Sequence, residues 1–146
     1  MVFKLTGEGP FIDYSMAGRT MMLSSERPEW DSGVLDIAGI SKEKLSEPVR
    51  STATIGRVRE DIRAGFGLSR TCQVVLGGHD QACGAVGSGV ITPGMVMDAC
   101  GTVDAMVSVL PGFIIDRAML DNKLPCYRHV DGTNYITMAI NTNGGL

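Results

Sequence analysis

The sequence predicts an α/β fold from three observations. Apolar runs of strand length alternate with helical patterns as far as about Gly89, which gives a β-α-β-α order. Residues 72–84 place a short apolar strand, a double-glycine turn and the start of a helix in direct succession. Beyond residues 92–94, which are Thr-Pro-Gly, the pattern changes to pairs of strands. We therefore predict a domain boundary near residues 89–93, where the β-α order gives way to strand pairs.

The chain opens with an apolar segment and a loop over residues 6–10, and a short helix is predicted over residues 13–22. Asp13 or Ser15 is expected to cap that helix, because both side chains accept hydrogen bonds from the free N–H groups of a first turn. Arg19 is expected to stabilise the segment by donating hydrogen bonds to a carboxylate or a carbonyl group.

A second capped helix is predicted within residues 28–40. Asp31 is the expected N-cap, and Gly39 supplies the left-handed residue that commonly ends a helix. Trp30 can stack on a sugar ring, but an apolar residue directly before an N-cap more often packs into the core.

The following segment predicts a charged surface turn over residues 41–48 and a polar connection, or a short strand, over residues 50–56. Val58, Ile62 and Phe66 then recur every four residues, which indicates one apolar face of a helix that ends near residues 65–67.

The central segment predicts a buried strand over Val74–Leu76, a sharp turn at Gly77 and Gly78, and a helix that begins with Asp80 as its N-cap. Open α/β sheets place their chemistry where a strand ends and a helix begins. A carboxylate held there can accept a proton from a hydroxyl group. On these residues alone, the favoured interpretation is an ordinary N-cap, in which Asp80 does no more than stabilise the helix.

Two strand pairs are predicted beyond residue 94. Residues 95–100 and 103–109 pair around a turn at Gly101-Thr102, with Val103, Ala105, Val107 and Val109 on one face. Residues 127–130 and 135–140 pair across Asp131-Gly132, which is a strong hairpin signal. Residues 111–125 and 141–146 are predicted loops.

Among the remaining motifs, the turn at Gly101 and Thr102 has the clearest chemical use. Such a turn directs N–H groups and a hydroxyl outward, and nests of this kind hold phosphate oxygens. Neither histidine is assigned to catalysis: His79 and Asp80 are neighbours on a turn and are expected to point apart, and His129 stands among apolar strand residues.

Composition excludes several classes of protein. The net charge of −3 and the lack of a basic run argue against nucleic acid as a partner, and no apolar segment suggests a membrane span. The four cysteines show neither a C-x-x-C pair nor the spacing of zinc ligands. We expect reduced thiols buried in a core, and a cytoplasmic protein.

Eight short motifs in a fixed order resemble one family. The ordered set is Leu5-Thr6-Gly7, Asp13 to Thr20, Trp30-Asp31, Gly39-Ile40, Gly56, Gly67-Leu68, Gly77 to Gln81 and Gly101-Thr102. This arrangement resembles the FGGY family of carbohydrate kinases over essentially the whole chain. The resemblance implies the actin-like ATPase (ribonuclease H-like) fold, with residues 1–89 as the C-terminal part of the sugar-binding domain. It implies that residues 90–146 begin the nucleotide-binding domain.

The resemblance also implies roles for particular residues. Asp80 matches the catalytic base, and Gln81 matches the polar residue that contacts a sugar or polyol substrate. Gly101 and Thr102 match a phosphate-binding element for ATP. Mg²⁺ is implied as a second cofactor, but no residue of this chain matches a metal ligand.

The chain departs from the family pattern in ways that point to an internal fragment. The Asp-x-Gly-Thr phosphate loop and the adenine-binding part have no counterpart in the sequence, and Val103 and Asp104 are unusual beside a phosphate site. We therefore expect negligible sugar kinase activity from this chain alone. We expect it to form a homo-oligomer or to need the remainder of the kinase. Two alternatives stay open: a non-catalytic remnant that binds a sugar or a partner, and an unrelated α/β hydrolase-like enzyme that uses Asp80.

Overall fold

A computed structural model describes residues 1–141, which form short helices, one 3₁₀ turn and three small sheets. The helices are α1 Val2–Thr6, α2 Tyr14–Gly18, α3 Ser32–Ala38, α4 Glu60–Gly65, α5 Asp80–Gly87 and α6 Arg117–Asp121, and the 3₁₀ turn is Lys42–Lys44. The strands are β1 Phe11–Asp13, β2 Glu47–Val49, β3 Thr54–Arg57, β4 Gln73–Val75, β5 Val96–Ala99, β6 Asp104–Leu110, β7 Tyr127–Arg128 and β8 Tyr135–Asn141. No helix in this part of the chain has the length and apolar character that a membrane crossing needs. The predicted loop over residues 141–146 lies outside the described residues from position 142 onward.

The three sheets differ in the direction of their strands. β1 and β2 pair in parallel, whereas β3 and β4 form an antiparallel pair. The largest sheet is antiparallel, with the strand order β5-β6-β8-β7. Val107 lies opposite Met138 in its centre, and the β7–β8 hairpin turns at Asp131-Gly132, as predicted.

A first core forms around Trp30, which is buried with Ala17, Leu23 and Leu35. The indole Nε1 of Trp30 donates a hydrogen bond to the Ser46 carbonyl at 2.9 Å, so the polar end of the ring is satisfied inside the core. This confirms the prediction that Trp30 is a packing residue.

The caps of α3 also follow the prediction. The Asp31 side chain accepts a hydrogen bond from the Val34 N–H at 3.1 Å, and Gly39 ends the helix with φ of 66°.

A second core joins α5 to the four-stranded sheet. Ala82 and Ala85 of α5 are fully buried against a set of sheet residues that includes Val107, Val109 and Ile136. Alanine keeps the helix close to the sheet because its side chain is short. The predicted alternation along β6 is therefore confirmed, except that Val103 precedes the strand and is exposed.

Several predicted elements are shorter or different in the structure. The helix expected over residues 13–22 is limited to α2, and part of the predicted surface turn over residues 41–48 is β2. A strand, β1, and two helices, α1 and α6, occupy segments where no regular element was predicted. The predicted strand at residues 74–76 is β4, one residue earlier, and only Val74 in it is buried.

The apolar face predicted for α4 is wrong. Val58 is buried but precedes the helix, and Phe66, directly after it, is 78% exposed. The spacing of four correctly indicated a helix in this segment. However, α4 has only six residues and none of them is buried, so the helix packs no apolar face into a core.

The four cysteines are all free thiols. Cys83 and Cys100 are exposed, whereas Cys72 and Cys126 are partly buried. The expectation of core thiols is therefore wrong, since none of the four cysteines is among the buried residues of either core.

Candidate functional site

The candidate site begins at the turn between β4 and α5. The N-cap is His79, with φ of −58° and ψ of 133°, and α5 begins at Asp80. The prediction that Asp80 is the N-cap is therefore wrong by one residue. Because Asp80 already belongs to the helix, its carboxylate reaches only the adjacent Gln81 N–H, from which it accepts a hydrogen bond at 2.8 Å. A negative charge in the first turn is still favoured by the helix dipole.

The carboxylate of Asp80 is open to a ligand, since its side chain is 84% exposed. His79 lies beside it, with Nδ1 at 3.4 Å from the Asp80 Oδ1, so the expectation that these side chains point apart is wrong. That separation exceeds a normal N–H···O hydrogen bond, and Nδ1 has no hydrogen-bond partner among the described residues. Gln81 follows in the same first turn and is partly buried.

A buried carboxylate lies behind this turn. Asp13 is 3% exposed, and its Oδ2 accepts hydrogen bonds from the Ser15 N–H at 2.8 Å, the Ser15 hydroxyl at 2.6 Å and the Ser51 hydroxyl at 2.7 Å. Its Oδ1 accepts a fourth from the Met16 N–H at 3.1 Å, so Asp13 caps α2 as predicted.

The same cluster reaches the candidate site. The Ser15 Oγ accepts a hydrogen bond from the His79 N–H at 2.8 Å, across 64 positions of sequence. Asp13 and Ser15 were predicted only as helix-capping residues, and nothing in the local sequence pattern indicated this long-range hydrogen bond.

Position 78 needs glycine because a side chain would not fit there, and not because of its backbone dihedral angles. We expected the sharp turn at Gly77 and Gly78 to use backbone dihedrals that side chains forbid, but neither residue is among the glycines with positive φ, so that expectation is wrong. A Cβ at position 78 would stand 2.4 Å from Val130 Cγ1 and 2.9 Å from Ser15 Oγ, whereas one at position 77 would meet nothing within 4 Å.

The second candidate element is the turn between β5 and β6. Gly101 and Thr102 are exposed there, as a phosphate-binding turn requires. Behind them, the side chains of Asp98, Cys100 and Asp104 bring ligand atoms within 4.8 Å of one another. The Cys100 thiol donates to the Asp98 Oδ2 at 3.5 Å, and this hydrogen bond, with the charges of Asp98 and Asp104, raises the pKa of Cys100.

This acidic set makes the turn less favourable for a bare phosphate than its N–H groups alone would suggest. Two carboxylates close to a phosphate repel it unless a cation lies between them. Asp104 was unexpected beside phosphate in the sequence, and in the structure its carboxylate lies within 4.8 Å of ligand atoms of Asp98 and Cys100.

The two candidate elements are connected by α5. Its N-terminus carries Asp80 and Gln81, and its inner face packs on β5 and β6, with Gly84 close to the Met97 sulfur. Within residues 1–141, no hydrogen bond or ion pair joins Asp80 or Gln81 directly to Gly101 or Thr102.

Residues 1–87 match the family described as "FGGY family of carbohydrate kinases, N-terminal domain". The chain belongs to the FGGY family of carbohydrate kinases. It is similar to the xylulose kinase of Bacillus subtilis (strain 168), with 32% identity over 106 residues that cover 73% of this chain and 21% of that protein. It is similar to the gluconokinase of the same organism, with 30% identity over a 147-residue alignment that covers 99% of this chain and 28% of that protein.

The structure of this FGGY chain also resembles a solved sugar kinase. A crystal structure of ligand-bound xylulose kinase from Lactobacillus acidophilus matches with a TM-score of 0.86 and 27% identity, over 99% of this chain and 28% of that one. The predicted actin-like ATPase fold is confirmed by this likeness. The FGGY chain spans between 21% and 28% of these three relatives, which are therefore much longer proteins.

Proposed function

We propose that this chain is the part of an ATP-dependent sugar or polyol kinase that carries the catalytic base, Asp80. The observation that supports the proposal is an exposed carboxylate at the first residue of α5, in a chain of the FGGY family. The backbone N–H of the preceding residue, His79, is bonded to a buried hydrogen-bond network. A general base must be accessible to the hydroxyl whose proton it takes, and it must be held in place.

In the proposed reaction, the Asp80 carboxylate takes the proton of a substrate hydroxyl as that oxygen attacks the γ-phosphorus of ATP. The bond between the γ-phosphorus and the bridging oxygen breaks, ADP leaves with the electron pair, and the phosphoryl group ends on the substrate oxygen. Gln81 is proposed to bind another hydroxyl of the substrate, which orients the attacking one.

ATP supplies the phosphoryl group, and the turn at Gly101 and Thr102 fits its phosphates in part. Exposed N–H groups and a hydroxyl are suitable donors to phosphate oxygens, although Asp98 and Asp104 lie nearby. We propose Gly101 and Thr102 as phosphate contacts on that ground. We assign no residue of this chain to Mg²⁺, because the acidic group includes a thiol and Mg²⁺ prefers oxygen ligands.

The substrate is proposed only as a class, a sugar or polyol with a free hydroxyl. The two curated relatives carry different names, a xylulose kinase and a gluconokinase, and their identities to this chain are nearly equal. Sequence similarity therefore does not select one sugar over another.

The test is Asp80→Asn in the full-length kinase that contains this segment, assayed with ATP, Mg²⁺ and a panel of sugars and polyols. Turnover should fall by roughly 10² to 10⁴-fold, which is the usual contribution of a positioned base. Glu60→Gln is the control for the loss of a negative charge at a helix start, because Glu60 is the first residue of α4. It also removes the ion pair between Glu60 and Arg63, which is far from the proposed chemistry in sequence. Full turnover by the Asp80→Asn enzyme would refute Asp80 as the base. A wild-type protein that binds a sugar but does not phosphorylate it would instead favour the alternative of a non-catalytic binding remnant.

Two further proposals concern the chain itself. We propose a domain boundary between residues 89 and 90, which lies in the connection that leads from α5 to β5. We also propose that the 146-residue chain alone has negligible kinase activity and associates with the rest of the kinase or with another copy. Val75 on β4 is 53% exposed and offers an apolar contact for such a partner. A coupled kinase assay tests the activity of the 146-residue chain, and light scattering at several concentrations tests its association.

A further inference from the structure

The hydrogen bonds between Asp13, Ser15 and the backbone of His79 allow only one assignment of donors and acceptors. Ser15 Oγ lies 2.6 Å from the Asp13 Oδ2 and 2.8 Å from the His79 nitrogen. A backbone N–H can only donate, so the hydroxyl oxygen must accept from His79. The single hydroxyl proton is then free to be donated to the carboxylate, which gives a charge-assisted bond. The carboxylate therefore fixes the orientation of the Ser15 lone pair that holds the His79 N–H.

Water cannot substitute for this chain of bonds. Ser15 is fully buried and Asp13 is 3% exposed. In such surroundings each bond is stronger than at the surface, and a lost partner is not replaced by solvent. The positions of Ser15 and the His79 N–H are thus coupled tightly.

The bond to His79 is not explained by the capping of α2. Capping uses the bonds from the Ser15 and Met16 N–H groups to Asp13, and these would form without any contact to α5. His79 is the N-cap of α5 but gives no side-chain cap to its own helix. The first N–H groups of a helix have no acceptor within the helix, and the His79 N–H is one of them. It donates instead to the side chain of Ser15, which belongs to α2.

We propose that Ser15, oriented by Asp13, is a positioning residue that sets the location of Asp80. The inference rests on the proposed function, since it gives the network a role in the same site. His79 directly precedes Asp80, so a shift of the His79 amide moves the carboxylate that follows it. A misplacement of about 1 Å at a reacting group can lower a rate by about 10²-fold.

The chain offers a matched pair of variants, Ser15→Ala and Ser51→Ala. Both serines are buried and both donate to the same Asp13 oxygen, at 2.6 and 2.7 Å. Only Ser15 also contacts His79. The two variants therefore remove similar bonds from Asp13, and only one of them frees the turn that carries Asp80.

Two measurements in the full-length kinase test the proposal. In Ser15→Ala, kcat should fall by roughly 10- to 100-fold, with a smaller change in the KM for the sugar, because alignment matters most in the transition state. Hydrogen exchange of the His79 amide should become about 10-fold faster, since one hydrogen bond is lost. Ser51→Ala should show a far smaller effect on both quantities.

Equal effects of the two variants on kcat and on His79 exchange would show that the network only stabilises the fold, and would overturn the proposal. If Ser15→Ala does not fold, Ser15→Cys keeps the side-chain size with a weaker acceptor, and His79 exchange should still be faster than in Ser51→Ala. The exchange measurement needs no enzyme activity. A full-length protein without kinase activity would contradict the proposed function, while His79 exchange would still decide whether Ser15 holds the turn.

Discussion

Replacing Gly78 by alanine tests the close packing of the turn before Asp80. The new methyl group would stand 2.4 Å from Val130 Cγ1 and 2.9 Å from Ser15 Oγ. Carbon atoms normally approach to about 3.5–4.0 Å, so either the turn or Val130 has to move by about 1 Å. The Val130 side chain is buried, which limits how far it can yield.

The expected loss follows from two opposing effects. Overpacking of a filled site costs about 1–3 kcal/mol, and the short distance to Val130 places this case in the upper part of that range. Alanine also restricts the unfolded chain more than glycine does, and this effect offsets about 0.4–1 kcal/mol of the lost stability. The free energy of unfolding should therefore fall by about 2 kcal/mol.

Chemical denaturation of Gly78→Ala beside Gly77→Ala is the assay. Gly77 has no atom within 4 Å of an added Cβ and has no positive φ, so its replacement should leave stability unchanged or raise it slightly. Adding Val130→Ala to Gly78→Ala should recover part of the loss, with a coupling of about 0.5–3 kcal/mol. Equal stability of the two single glycine variants would refute the packing argument.

Two other variants probe the phosphate turn and the β7–β8 hairpin. Thr102→Val should raise the KM for ATP more than the KM for the sugar, because the hydroxyl is proposed to face phosphate; equal changes in separate titrations would indicate a folding defect instead. At Asp131, burial favours a higher pKa, but hydrogen bonds from Asn134 and Thr133 outweigh it and lower the pKa below its usual value. A lowered pKa in the folded state stabilises the protein above the unfolded-state pKa of about 3.9, and this contribution is lost as the pH falls through the folded-state value. Asp131→Asn should thus make the free energy of unfolding less dependent on pH between about pH 5 and 2, and identical pH dependence of both proteins would count against the assigned hydrogen bonds.

Local signals in the sequence were sufficient for the caps and the hairpins. The capping residue Asp31 and the terminating Gly39 act within one helix, and the Asp131-Gly132 turn acts within one hairpin. Such features depend on neighbours only a few positions away, and they were predicted correctly. The strand, turn and helix around Asp80 were also predicted, with an error of one residue at the cap.

Features that depend on distant contacts were not predicted. β1 pairs with β2 across more than thirty positions, and β2 contains Pro48, which weakens any strand signal. The need for glycine at position 78 comes from Val130, and the bond that holds His79 comes from Ser15. Nothing in the local pattern at either position indicates its partner.

The contact between Gly78 and Val130 also constrains any hinge in the parent kinase. The two residues belong to the two regions that we propose as separate domains, and they touch without spare room. When two rigid bodies rotate relative to each other, points near the rotation axis hardly separate, whereas remote points move far. The packing of Ala82 and Ala85 on the four-stranded sheet crosses the same proposed boundary. A hinge axis that preserves all of these contacts must therefore run close to α5, so Asp80, its first residue, would stay almost still while remote parts of the two regions move. Spin labels on the outer surfaces of the two domains should therefore change distance on ligand binding much more than labels placed beside residues 78 and 130.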